Sequence, residues 1–263
     1  MGLTRASSGL NALRESFISL NASSFLIALA GNPNCGKSTV FNALTGLKQH
    51  TGNWPGKTVT LARGRYSYRG LDFTLVDLPG TYSLLASSVE EQIARQFICF
   101  AHPDVVIVVV DATCLERNLN LVLQVLETTP RVVVCLNLMD EARRKKMLID
   151  VPLLSQELGL PVVPTVARDG EGLEKLKEIV AAIAAGILHP APKTVRYNQA
   201  VEAAVITLEK QLQPLLNGHL NARWVALRLL EGELSIRQEL EQHLGLALPQ
   251  NVIQLKTKKG VSA

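Results

Sequence analysis

The run Phe25-Leu-Ile-Ala-Leu-Ala-Gly31-Asn-Pro-Asn-Cys-Gly-Lys37-Ser38 decides how the chain is read. Phe25–Ala30 is continuously apolar and stops at a glycine, as expected of a strand buried on both faces. Gly31–Ser38 fits the pattern G-x-x-x-x-G-K-[ST], and Lys37–Thr45 has helical spacing that ends near Gly46. A strand, a glycine-rich turn and a helix in that order make a phosphate cradle. The glycines let the backbone curl until its N–H groups converge on phosphate oxygens. The helix start adds the positive end of its dipole. Lys37 in such a cradle neutralises β- and γ-phosphates, and Ser38 offers a hydroxyl to Mg²⁺, a hard cation that prefers oxygen.

Outward from this run, the pattern alternates. Leu47–Thr60 has no clear periodicity and contains Gly52, Asn53, Pro55 and Gly56, so it reads as a long functional loop. Leu61–Tyr68 and Leu71–Asp77 read as strands joined by the turn Arg69-Gly70. Ser87 and Ser88 with Glu90 and Glu91 open a helix running to about Phe100. Strands at Asp104–Val110, Arg131–Leu136 and Pro161–Thr165 then alternate with helices over Leu115–Glu127, Met139–Lys146, Val151–Leu158 and Gly172–Ile187. This predicts an α/β fold, a mostly parallel sheet with helices on both faces. His189-Pro-Ala-Pro192 reads as a linker, followed by a small all-helical part with helices over Asn198–Leu212, Ala222–Glu231 and Ser235–Leu244. The expected division is an arm over 1–24, the α/β domain over 25–188 and a helical domain with a solvated basic tail over 193–263. Within the arm, Leu10–Leu20 reads either as a short helix or as a poorly ordered segment.

Composition excludes several function classes. Lysine and arginine number 27 against 23 acidic residues, and a net charge of +4 is too small to argue for nucleic acid or an anionic membrane surface. Cys35, Cys99, Cys114 and Cys135 lack zinc spacing, and so few in so long a chain suggest a reducing compartment and no disulfide framework. The five histidines form no metal motif. The most apolar run, Val105–Val110, is far short of the roughly 20 residues a bilayer needs. Phe25–Ala30 is too short for the core of a signal peptide and runs straight into the glycine-rich turn.

Three further segments carry chemistry. Asp77-Leu-Pro-Gly80 closes a strand, where a carboxylate can hold Mg²⁺ through water and the Gly80 N–H can sense a γ-phosphate. Asn137-Leu-Met-Asp140 follows another strand. A carboxylate there can accept from N1 and the 2-amino group of guanine, a donor pair that adenine lacks. Taken alone, the tetrapeptide reads more readily as a helix cap by Asn137. Ala167, in Thr165-Val-Ala-Arg-Asp-Gly170, would offer a backbone N–H to the guanine carbonyl. Thr58, in the long loop, has a hydroxyl that could reach Mg²⁺ only when a γ-phosphate is present, an order–disorder switch.

In this order and spacing the motifs resemble the translation-factor class of GTPases. Gly31-Asn-Pro-Asn34, Thr51-Gly-Asn-Trp-Pro-Gly-Lys-Thr58, Asp77-Leu-Pro-Gly-Thr-Tyr-Ser-Leu84, Glu90-Glu91 and Ala94-Arg95 narrow the resemblance to the cytoplasmic N-terminal domain of the FeoB ferrous iron transporter family. The resemblance covers about residues 25–188, and Gly-Asn-Trp-Pro-Gly is its most specific element. It implies a GTPase that turns GTP into GDP and phosphate slowly, with Mg²⁺ and stimulation by K⁺. Nucleotide contacts are then expected at Gly31, Asn32, Pro33, Asn34, Cys35, Gly36, Lys37, Ser38 and Thr39. Others are expected at Gly56, Lys57, Thr58, Val59 and Thr60, at Asp77, Leu78, Pro79 and Gly80, at Asn137, Leu138, Met139 and Asp140, and at Val166, Ala167 and Arg168. Ser38, Thr58 and Asp77 would serve Mg²⁺. Asn34 and the carbonyls of Gly52 and Trp54 would hold K⁺, which does the work of an arginine finger, because Thr81 stands where Ras-like enzymes place a glutamine. The catalytic set is then Asn34, Lys37, Thr58 and Gly80.

The resemblance also implies a helical domain that couples nucleotide state to a membrane-embedded iron-permease domain lying outside these residues, at the cytoplasmic face of a bacterial inner membrane. No nucleic acid is expected, and self-association is left open. Three positions depart from the family pattern. Cys35 stands where serine or threonine is common, and its thiol is a candidate for oxidation. Leu138 replaces a lysine and Val166 a serine, which predicts weak nucleotide binding and easy GDP release. An RNA- or ribosome-associated GTPase of the same class and a nucleotide-dependent scaffold are the alternatives.

Overall fold

The computed structural model describes residues 24–46, 49–53 (backbone only), 59–85, 87–233 and 235–248, with Leu13, Arg14 and Phe17. Seven strands form one sheet: β1 Phe25–Gly31, β2 Gln49–Asn53, β3 Thr60–Tyr68, β4 Leu71–Asp77, β5 Val105–Asp111, β6 Val132–Asn137 and β7 Val162–Pro164. Their spatial order is β2-β3-β4-β1-β5-β6-β7. β4, β1, β5, β6 and β7 are mutually parallel, and the β2-β3-β4 edge is antiparallel.

The strand sequences follow from burial on two sides. Ile27, Leu29, Phe73, Leu75, Ile107 and Val109 share one core with α1 (Lys37–Thr45) and α6 (Leu173–Ala184). Their neighbours Leu26, Ala28, Val76, Val106 and Val108 are as deeply buried and point to the opposite face. There α2 (Val89–Phe100) and α3 (Leu115–Thr128) pack against β1, β5 and β6. A strand enclosed on both faces has no polar side, which is why β5 reads Val-Val-Ile-Val-Val-Val-Asp. Each fully buried side chain of this kind contributes about 1.5–3 kcal/mol. The expected turn at Arg69-Gly70 is a two-residue hairpin with both φ positive, 48° and 78°, which suits the twist of the strands it joins.

Parallel strands put their C-terminal ends on one edge. Gly31, Asp77, Asp111 and Asn137 therefore lie side by side there, with Leu29 level with Asp77, Gly31 with Val109, and Asp111 with Asn137. β1 sits where the strand order reverses, the position at which open α/β sheets open a crevice for ligands. α4 (Met139–Arg144) and α5 (Val151–Leu158) complete this part of the chain.

Several boundaries differ from expectation. The long loop Leu47–Thr60 contains β2, which pairs antiparallel with β3, Gln49 opposite Gly64 and Asn53 opposite Thr60. Gln-His-Thr-Gly-Asn has no apolar alternation, so only its pairing partner makes it a strand. The expected linker over 189–192 runs against the end of α5. The Lys193 N–H donates to Leu158 O (3.1 Å), Lys193 Nζ pairs with Glu157 (3.1 Å), and Ala191 O packs against Gly159. The arm is partly anchored to the sheet unit. Arg14 and Phe17 are helical there. Arg14 donates to Asp104 Oδ2 at 2.6 Å, and Phe17 stacks edge-on against Phe97 at 5.0 Å.

The chain divides into two compact units, one from Arg14 to Thr194 and one that takes in the residues from Val195 onward. The second is helical: α7 Gln199–Leu216, α8 Ala222–Glu231 and α9 Ser235–Leu244. α7 runs past its expected end at Leu212 and contains Pro214 in its last turn. Asn198 caps α7 and Asn221 caps α8. Val205, Leu212, Val225, Ala226, Ile236 and Leu240 are its most enclosed apolar side chains. Glu202 ties the segment before α7 to α8. It accepts from Arg223 at 2.7 and 2.9 Å and from the Tyr197 N–H at 2.9 Å.

Candidate functional site: a cradle and a braced loop on one sheet edge

The cradle turns out of β1 and into α1. Asn34 (φ 65°) and Gly36 (φ 83°) both take the left-handed conformation, which curls the loop back on itself. Gly36 is required twice, because a Cβ there would also collide with Asn137 Nδ2. α1 has no side-chain cap, so its first N–H groups are left facing outward, the arrangement that receives an anion. Ser38 and Thr39 are exposed at this end, and Asn34 is exposed on the loop. Lys37 Nζ is ion-paired with Asp77 Oδ1 across the β1-β4 boundary. Burial raises the Asp77 carboxyl above the ordinary range, and Lys37 opposes that shift.

The segment after β4 lies directly on the cradle. The Leu78 N–H donates to Leu29 O (3.0 Å), and the Thr81 N–H to Gly31 O (3.2 Å). A Cβ on Gly80 would stand 3.4 Å from Pro33 Cα, within ordinary van der Waals contact, so the segment lies against the cradle. The Leu78 side chain is fully buried, so among Asp77–Gly80 the face open to a ligand belongs to its neighbours.

The segments expected to meet a base lie at the end of β6 and in the loop after β7. Asn137 is 1 % exposed, and it is not the helix cap its position suggested. The residue before α4 is Leu138, in the left-handed conformation and with no capping bond. Asn137 is instead a brace. Its Nδ2 donates to Cys35 O (3.1 Å) in the cradle, and its Oδ1 accepts from the Ala167 N–H (3.1 Å) and from Thr165 Oγ1 (3.3 Å). One amide therefore fixes the distance between the phosphate cradle and the Val166–Arg168 loop. The Ala167 N–H, expected to point at a base, is engaged by Asn137 here. Thr165, fully buried, also contacts Cys135 Sγ (3.2 Å). Nothing in its sequence context distinguished it.

Asp140, on the first turn of α4, accepts from Arg168 at 3.2 Å through Oδ2, while its Oδ1 is buried with no hydrogen-bonding partner. An unpaired carboxylate oxygen beside a braced loop fits a ligand that brings N–H donors. Trp54, Gly56, Lys57 and Thr58 lie outside the described residues, Gly52 belongs to β2, and Val59 and Thr60 lead into and begin β3. Cys35 is 1 % exposed and burial pushes its thiol up to about 11, so oxidation is disfavoured there. Among the described residues no helix is long and apolar enough to cross a membrane, and no cluster of three or more His, Cys, Asp or Glu could hold a metal by itself.

Comparison with known proteins agrees with this geometry. The family profile of ferrous iron transport protein B matches residues 25–180, and that of the FeoB cytosolic helical domain matches residues 197–259. Fe(2+) transporter FeoB of Escherichia coli (strain K12) is 42% identical over 232 residues, covering 84% of this chain and 29% of that protein. The Fe(2+) transport protein A/Fe(2+) transporter FeoB fusion protein of Porphyromonas gingivalis is 41% identical over 227 residues, covering 84% of this chain and 27% of that protein. The chain thus spans under a third of the length of these relatives. Among solved structures, the cytosolic domain of L. pneumophila FeoB superposes with a TM-score of 0.77 at 35% identity, covering 89% of this chain and 90% of that one. A GDP form of the T. maritima cytosolic domain gives 0.75 at 38%, covering 88% and 89%. This chain therefore belongs to the ferrous iron transport protein B family, as a nucleotide-binding GTPase domain with its cytosolic helical domain.

Proposed function

We propose that this domain is the nucleotide switch of a ferrous iron transporter. It hydrolyses GTP with K⁺ stimulation, and its state is passed through the helical unit to a membrane-embedded permease domain at the inner-membrane surface. The observation that carries the nucleotide part is the Asn137 brace. It sets an uncapped helix start, with Lys37 and Asp77 beside it, at a fixed span from the unpaired Asp140 Oδ1.

Ser38 and Asp77 supply the hard oxygen donors that suit Mg²⁺, with Thr58 as the proposed third. Bound there, Mg²⁺ would neutralise charge on the β- and γ-phosphates. Lys37 would leave Asp77 for the phosphates, and Gly80 would offer its N–H to the γ-phosphate. Asn34, exposed on the loop, is the proposed side-chain ligand of K⁺ together with the Gly52 and Trp54 carbonyls. Leu138 and Val166 in place of lysine and serine favour fast GDP release.

Phosphate release from GTP and ATP in K⁺ and Na⁺ buffers tests this reading. Turnover should prefer GTP and rise with K⁺. Asn34→Ala should abolish the K⁺ response while leaving GDP binding largely intact. Asp140→Asn should shift preference from guanine toward xanthine, whose 2-carbonyl suits an amide donor. Equal turnover of ATP and GTP, or a K⁺ response that survives in Asn34→Ala, would refute the corresponding assignment. Coupling to transport is tested in a full-length relative carrying these residues: iron uptake should fail when Asp140 is changed.

A further inference from the structure

The mechanism above uses the Gly31–Ser38 backbone, and it leaves one side chain of the cradle unexplained. Asn32 is 3 % exposed, and neither its Oδ1 nor its Nδ2 has a hydrogen-bonding partner. Among the described residues it is the one side chain with two buried polar atoms both orphaned. Asn137, as deeply buried, has both ends of its amide engaged. A buried amide without partners is costly, and native structures keep such groups where another state of the molecule satisfies them.

The segment that can supply that state adjoins Asn32 on both sides. Gly31 O accepts from the Thr81 N–H at 3.2 Å, and Gly80 packs on Pro33. The Asp77–Thr81 segment is therefore seated on the residues that flank Asn32. If Gly80 turns its N–H toward a γ-phosphate, the Thr81 N–H is drawn off Gly31 O and the main chain of 79–81 shifts against Asn32.

We propose that Asn32 is a positioning residue that holds Asp77–Thr81 in its triphosphate-bound arrangement, its amide bonding main-chain groups of that segment. This rests on the nucleotide reading above. The amide is satisfied in the triphosphate state and orphaned in the other, so it widens the gap in affinity between a triphosphate and a diphosphate. A side chain that merely supports the cradle would not discriminate between the two ligands.

Two variants test this in the full chain: Asn32→Ala, and Asn32→Leu, which keeps the branched shape without the polar ends. Thermal unfolding of the nucleotide-free protein is measured with the affinities for fluorescent GDP and a fluorescent non-hydrolysable GTP analogue, both with Mg²⁺. The melting temperature should stay level or rise, because an unsatisfied buried amide has been removed. Affinity for the GTP analogue should fall about tenfold or more, the loss of two hydrogen bonds, while affinity for GDP, toward which the variants keep the Asn32 main chain, falls markedly less. A lowered melting temperature with parallel loss of both affinities would make Asn32 purely structural and overturn the proposal. So would an unchanged affinity ratio, the result expected if only an ordered water serves the amide. Wild-type protein that binds neither nucleotide would sink the underlying reading as well, and that measurement precedes any variant.

Discussion

Replacing Asn137 by alanine tests the brace most directly. The change removes the donor to Cys35 O and the acceptor of the Ala167 N–H, both at 3.1 Å, and both groups belong to buried residues. Each buried main-chain group left unpaired costs about 1–3 kcal/mol, so Asn137→Ala should destabilise the sheet unit by about 2–6 kcal/mol. Thr165 Oγ1 keeps Leu136 O at 3.3 Å as an alternative acceptor and adds little. Against a total of about 5–15 kcal/mol for a typical domain, the loss is large. Asn137→Asp sharpens the test. It keeps the acceptor for Ala167 but turns a carboxylate oxygen toward the Cys35 carbonyl, so it should destabilise at least as much as alanine. The assay is urea unfolding followed by circular dichroism, fitted as two transitions because the chain has two compact units. The transition of the sheet unit should move and that of the helical unit should not. A change below about 1 kcal/mol in both variants would refute the brace, since it would mean that the two main-chain groups find other partners at little cost.

The remaining predictions concern other parts of the chain. Gly172 has φ 81°, and a Cβ there would meet Pro164 O and stand 2.9 Å from Thr165 Cγ2, whereas Gly170, also at φ 81°, faces open space. Gly170→Ala should therefore cost only the left-handed penalty of about 1–2 kcal/mol, with Gly172→Ala clearly worse in the same urea assay. Arg223, and then the Tyr197 N–H, hold the Glu202 carboxyl down at about 2, against an ordinary 4.5. A depressed carboxyl stabilises fully above the unfolded value, so this contribution should fade as pH falls through 4.5 toward 2, and Glu202→Gln should flatten the acid unfolding curve there. A thiol reagent at pH 8 should modify Cys114 quickly. Cys35 and Cys135 should react only on unfolding, because both are buried and burial pushes their thiols up to about 11 and 12. Rapid labelling of Cys35 would show that the cradle opens in solution.

Much of the fold was legible because its central strands are unambiguous. Phe25–Ala30 and Val105–Val110 have no polar side, so they could only be strands enclosed on both faces, and the helices between them followed. α5 and α8 match their expected ranges, and in the structure Asp150 and Asn221 cap their starts while Gly159 and Gly232 close their ends in the left-handed conformation. β2 was not legible. Gln49–Asn53 is a strand only because β3 offers an edge, and no local pattern in it records that partner.

The chain by itself offered the atoms that could grip phosphate and, once its motifs are taken in order, a carboxylate that could read a base. Glycine spacing and the residue types after each strand carry that chemistry, and both are properties of local sequence. The tertiary structure alone decided that Asn137 is a brace and not a cap, that Lys37 lies against Asp77, and that Asn32 is buried with its amide unpaired. Those facts depend on residues far apart in the chain, 102 positions for Asn137 and Cys35 and 40 for Lys37 and Asp77, meeting at one sheet edge. Strand order sets that meeting, and no window of sequence contains it.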